Sequence, residues 1–119
     1  MPLDDDDPVE IYRREIATVS PLTMDEEAHL FQEATQSGER GEVAKRRLIE
    51  SYLHLVLPIA ERHASSGRLS ILELIQEGNL GLMRALEKFP ETHLDDFSAY
   101  ASSCIEDFIS DAVARSKSH

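Results

Sequence analysis

Between Val43 and Ala64 the apolar residues Leu48, Ile49, Tyr52, Leu55, Val56, Ile59 and Ala60 recur at i, i+3, i+4 spacing. That register puts them on one side of an α-helix, and a side so apolar has to be buried against something. The partner must also be helical, because no stretch of the 119 residues alternates apolar and polar groups with the period of two that a half-buried strand requires. Pro58 sits inside the run. It lacks an N–H and its ring crowds the carbonyl four residues back, so the spacing predicts one long helix kinked at that point.

The flanking segments carry their own start and stop signals. Asp7, Pro8 and Glu10 read as an N-cap, a proline at the first helical position and a capping-box partner, which opens a helix from Pro8 to about Ala17. Thr23 with Glu26 makes a second capping box, for a helix carrying Ala28, Leu30, Phe31 and Ala34 that Gly38 ends. Ser70 with Glu73 makes a third and opens "ILELIQEGNLGLMRALEKF", which Pro90 closes. A last helix begins near Asp96 and carries Phe97, Tyr100, Ala101, Cys104, Ile105, Phe108, Ile109 and Ala112. The expected fold class is all-α, a compact bundle of about five helices. It divides into an acidic tail at 1–7, a helical segment at 8–40, a helical core at 41–115 and a short tail at 116–119.

Composition narrows function mainly by exclusion. Apolar residues at 41% and charged residues at 29% are globular values, so the chain folds rather than staying disordered. The net charge of −11 opposes general attraction to nucleic acid or anionic lipid and points to a basic partner or simply to solubility. A single cysteine, Cys104, fits a reducing compartment, and without a leader or a long apolar run the expected place is the cytoplasm, with no membrane. His29, His54, His63, His93 and His119 lack metal-ligand spacing, and no phosphate-cradling glycine loop follows a strand. Neither a metal nor a cofactor is expected, nor is enzyme activity.

The helix from Ile71 to Phe89 has two faces. Ile71, Ile75, Leu82, Ala85 and Phe89, with Leu86 at the edge and Gly78 among them, form a fully apolar stripe that packs inward. Gly78 and Gly81 each cost about 1 kcal/mol against Ala inside a helix, which points to close approach by a neighbouring backbone. On the other side Glu73, Gln76, Glu77, Leu80, Met83 and Arg84 line up. Apolar anchors ringed by carboxylates suit a protein interface with a basic partner; composition alone equally allows a solvated face with stray apolar residues.

"GRLSILELIQEGNLGLMRALEKF", preceded by "AKRRLIESYLHLVLPIAERHASS", resembles region 2 of the sigma-70 family of bacterial RNA polymerase sigma factors. The upstream "DPVEIYRREIATVSPLTMDEEAHLFQEA" is similar to the helical segment that precedes region 2 in housekeeping members. The resemblance implies that this helix grips the clamp helices of the beta-prime subunit of core RNA polymerase. The matching positions are Glu73, Gln76, Glu77, Asn79 and Met83, with Leu80 alongside and Glu73 standing where Asp is usual.

The family's second task, capture of flipped −10 promoter bases, lies in the last helix. Phe89, just before it, and Phe97 and Tyr100 on it match aromatic positions of the family, although all three suit a core equally well. Ser103 and Cys104 replace a tryptophan pair, Asp95 and Asp96 an aromatic-basic pair, and Glu106 and Asp111 stand at basic positions; Asp107 replaces a polar residue. From Phe89 to Ala114 there is no Lys or Arg. Tyr12, Arg13 and Arg14 are candidates for single-stranded DNA just downstream, with surface salt bridges to a neighbouring helix as the competing reading. The implied function is a sigma-70-like domain that binds core polymerase in transcription initiation or its regulation. Promoter DNA is met only weakly or within a complex, and a second sigma subunit supplies what is missing. The alternatives are a sigma mimic or decoy that occupies core polymerase or sequesters an anti-sigma factor, and a domain whose acidic last helix imitates DNA.

Overall fold

The computed structural model describes residues 7–92 and 97–117, with side chains over 7–89 and 97–117. It is all-α, in the order α1 (Pro8–Ala17), α2 (Met24–Ala34), α3 (Glu39–Tyr52), a 3-10 turn (Leu53–Leu55), α4 (Val56–His63), α5 (Ile71–Thr92) and α6 (Phe97–Lys117). The five helices expected are present, with the third divided in two.

That division corrects the expected kink at Pro58. The proline acts on the carbonyl four residues before it, so the helix gives way at Leu53–Leu55 and restarts at Val56. Pro58 then falls in the first turn of α4, where its missing N–H has no partner to lose. Pro90 likewise does not close α5, which runs on to Thr92; one forfeited N–H in a last turn leaves the other helical bonds in place. Gly38 does not end α2 but is the N-cap of α3, with φ at 84°, a left-handed value that favours glycine. The expected start of the long helix at Val43 thereby moves back to Glu39, and Glu39 and Glu42 complement the positive end of the α3 dipole. α6 continues through Lys117, into the expected tail.

Local capping mostly follows the sequence. Thr23 and Glu26 exchange both capping-box hydrogen bonds, Thr23 N–H donating to Glu26 Oε1 at 2.9 Å and Glu26 N–H to Thr23 Oγ1 at 3.1 Å. Ser70 and Glu73 do the same at 3.3 and 3.2 Å. At α1, Asp7 accepts from Val9 N–H at 2.9 Å, but the Glu10 carboxylate turns to Arg13 at 3.4 Å rather than completing a box.

α5 is the centre of the bundle, packed on α6 along its length and on α4, with α2 against α3 beside them. Leu48, Val56, Leu74, Leu82, Ile105 and Ile109 are fully buried. Each such side chain stabilises the fold by about 1.5–3 kcal/mol. Leu74, outside the stripe drawn from sequence, belongs to this core, whereas Phe108 is only half-buried. The two α5 glycines are where helices meet: a Cβ on Gly81 would lie 2.7 Å from the Cys104 carbonyl oxygen and 2.9 Å from Ile105 Cα. A Cβ on Gly78 would meet Val56 Cγ1 at 2.6 Å and Ile109 Cδ1 at 3.0 Å. No described helix is long and apolar enough to cross a membrane.

Candidate functional site

Burying one side of α5 forces its other side outward as a ridge. Leu80 is 49% exposed and Met83 45%, and Glu73, Gln76 and Arg84 are exposed around them. Leu72, 37% exposed, adds a third apolar group that sequence reasoning missed, although its place one residue after the first core position signals it. Exposed large apolar side chains that share one helix face with carboxylates are a composition that an interface can use.

The ridge residues are not equally available. Glu73 already holds the α5 capping box, so one carboxylate oxygen is committed to the Ser70 N–H. Glu77 is half-buried and lies 3.7 Å from Arg115 of α6, a loose pair. Asn79 stands on the flank: its Oδ1 is buried, and its side chain bears on the Tyr12 hydroxyl of α1. Burial raises the Tyr12 pKa above its ordinary value, with Asn79 drawing it down and Glu15 adding to the rise. Neither Tyr12 Oη nor Asn79 Oδ1 completes a hydrogen bond of good geometry. The structure therefore brings Glu73, Gln76, Glu77, Leu80 and Met83 onto one open face and sets Asn79 beside it, under α1.

Two grooves flank this ridge. One, toward α3, is lined by Ile49, Met83 and Leu86 with Lys45, Arg46, Glu42 and Glu87, a mixed-sign rim. The other, toward α6, is lined by Leu80, Phe108, Glu77, Asp107, Asp111 and Arg115.

The residues suggested for DNA fall elsewhere. Phe97 is 4% exposed and packs edge-on against Phe31, Tyr52 and Phe89 at centroid distances of 4.9–5.0 Å. Phe89 also meets Phe31 at 5.1 Å. Phe97 is thus a core residue, while Phe89 is partly buried and packed against that core. Tyr100 is half-buried against the same core. Arg13 pairs with Glu61 of α4 at 2.9 Å, which raises its pKa and realises the salt-bridge reading; Arg14 is exposed.

The acidic substitutions on α6 have separate fates. Glu106 reaches α4, accepting from Arg62 at 3.2 Å and meeting His63 Nε2 at 2.8 Å. Asp111 pairs with Arg115 one turn on, an i, i+4 spacing visible in the sequence. Asp107 is exposed, and Asp95 and Asp96 lie outside the described residues.

A family model described as sigma-70 region 2 matches residues 48–119. The chain is 43% identical over 109 residues to "RNA polymerase sigma factor SigA" of Lactococcus lactis subsp. cremoris, covering 92% of this chain and 30% of that relative. To the protein of the same name in Lactococcus lactis subsp. lactis strain IL1403 it is also 43% identical, with 92% and 28% covered. To that of a Bacillus species it is 44% identical over 108 residues, with 91% and 28% covered. The chain thus spans less than a third of the length of these curated relatives.

Proposed function

This chain belongs to the sigma-70 family, and from that premise we propose that it is a transcription-initiation or regulatory domain that binds core RNA polymerase through the outward ridge of α5. The ridge takes the beta-prime clamp helices. Leu80 and Met83 are the anchors that lose water on binding, Glu73, Gln76 and Glu77 select basic groups at the rim, and Asn79 joins from the flank. The observation that carries this reading is the half-exposure of Leu80 and Met83 on the face opposite the buried one. Glu77 can exchange its loose partner Arg115 for a cation of the polymerase at little cost, since such exposed pairs are worth about 0–1 kcal/mol.

Recognition of the promoter −10 element is impaired or depends on a second polypeptide. Each stacked base is worth about 1–3 kcal/mol. Phe97 is spent on the core with Phe89 packed against it, and Asp107 and Asp111 oppose phosphate. A second reading, favoured by the outward carboxylate of Asp107, is a decoy without DNA binding that occupies core polymerase or sequesters an anti-sigma factor.

One experiment tests both parts. The chain is titrated with core polymerase, and the complex then with a single-stranded −10 oligonucleotide. Core binding that weakens in Met83→Glu and Glu77→Lys, with no strand capture without a second subunit, is the expected result. Unchanged core binding by both variants overturns the ridge; tight strand capture by the binary complex overturns the impaired promoter reading.

A further inference from the structure

The groove between α5 and α6 differs from its neighbour in charge. Its floor is apolar, Leu80 and Phe108, and its rim carries the carboxylates of Glu77, Asp107 and Asp111 against the one guanidinium of Arg115. Arg115 is itself informative. It reaches back along α6 to pair with Asp111 and lies 3.7 Å from Glu77 across the groove. A cation from this chain thus already sits between the carboxylates of two helices.

We propose that the α5–α6 groove is a docking site for a basic protein segment, one that places an apolar side chain on the Leu80–Phe108 floor and Arg or Lys against Asp107, Asp111 and Glu77. Asp107 and Asp111 are one helical turn apart, about 6 Å, a spacing met by cations at i and i+4 of a helix. The apolar floor supplies the anchor, and the rim, three carboxylates against one guanidinium, supplies selection and steering through its net negative charge. A nucleic-acid strand is excluded by the same carboxylates, which repel its phosphates. The groove shares Glu77 and Leu80 with the α5 ridge but includes α6, and it does not rest on what the ridge binds.

The test pans a display library of helical peptides, randomised on one face, against the intact chain and follows enriched sequences by NMR. The expected winners pair Arg or Lys at i, i+4 with an apolar residue between, and shift the Leu80 methyl and Phe108 ring signals. Their affinity falls about tenfold or more in Asp107→Lys/Asp111→Lys, a doubly exposed change checked to melt like the parent, and falls with added salt. Enrichment of acidic or purely apolar peptides, signals confined to the Met83 groove, no enrichment at all, or movement of the same signals by a single-stranded oligonucleotide each overturns the proposal. Met83→Glu, on the other flank of α5, leaves peptide binding intact, so the outcome for polymerase binding is read separately.

Discussion

Gly81→Ala adds a single methyl group to α5 at the point where α6 passes closest. The new carbon would stand 2.7 Å from the Cys104 oxygen, 2.9 Å from Ile105 Cα and 3.0 Å from the Cys104 carbonyl carbon. All are backbone atoms, so no side chain can swing aside. Restoring ordinary contact distances of about 3.5 Å requires α6 to retreat by roughly 0.5–0.8 Å, and a radial gap of that size forfeits about a quarter to a half of each dispersion contact it opens. Ile105 and Ile109, both fully buried, ride on the displaced segment. Overpacking costs about 1–3 kcal/mol, here toward the upper end, about 2–3 kcal/mol, because only backbone atoms are met; replacing glycine in a helix returns about 1 kcal/mol, so the net loss is about 1–2 kcal/mol. At Gly78 the nearest atoms belong to side chains, Val56 Cγ1 and Ile109 Cδ1, rather than to backbone, and Gly78→Ala should cost less. Urea unfolding followed by circular dichroism measures both; the Gly81 variant should lose about 1 M in midpoint with an unchanged slope. A Gly81→Ala protein as stable as the parent, or more stable than Gly78→Ala, would refute the close backbone approach.

Other outcomes follow from the same geometry. Phe97→Ala should cost about 3–5 kcal/mol in urea unfolding, as expected for a buried ring edge-on to three others; normal stability with weakened single-strand binding would place Phe97 in a DNA site instead. Glu106→Gln, which removes the charge facing Arg62 and His63, should cost no more than about 1 kcal/mol because the pairs are solvated, and a loss above about 3 kcal/mol would mean a buried network. The Glu26 carboxyl is held below its ordinary pKa, chiefly by the Thr23 backbone N–H. Its contribution is therefore complete above the unfolded value and disappears as pH falls through the lower folded one. Amide exchange in the first turn of α2, measured from pH 6 downward, should lose protection across that window in the parent and show no such step in Glu26→Gln.

What could be read in the residues was whatever is decided locally. Thr23–Glu26 and Ser70–Glu73 lie three positions apart, so their caps are visible in one dimension. The ridge of Leu80 and Met83 was legible for a related reason, since a helix with one apolar stripe must show its other face. Pro58 is visible as a helix breaker, but its effect falls on the turn preceding it, at Leu53–Leu55. Gly38 reads in one dimension as the end of the helix before it, though its positive φ serves the helix after it. Contacts between distant positions stayed hidden: the Glu106 bridge to Arg62 and His63 spans more than forty residues of chain. So did the role of Tyr12, whose hydroxyl faces Asn79 across the α1–α5 contact.

The close passage at Gly81 separates how α6 is held from what α6 displays. α5 meets the peptide backbone at Cys104 and Ile105, which every amino acid shares. The seat of the helix thus imposes nothing on Ser103, Asp107 or Asp111, which point to solvent. A lineage can rewrite that outward row, cation to carboxylate or aromatic to serine, in single heritable steps without passing through an unfolded protein. Binding identity on this scaffold is then free to drift faster than architecture.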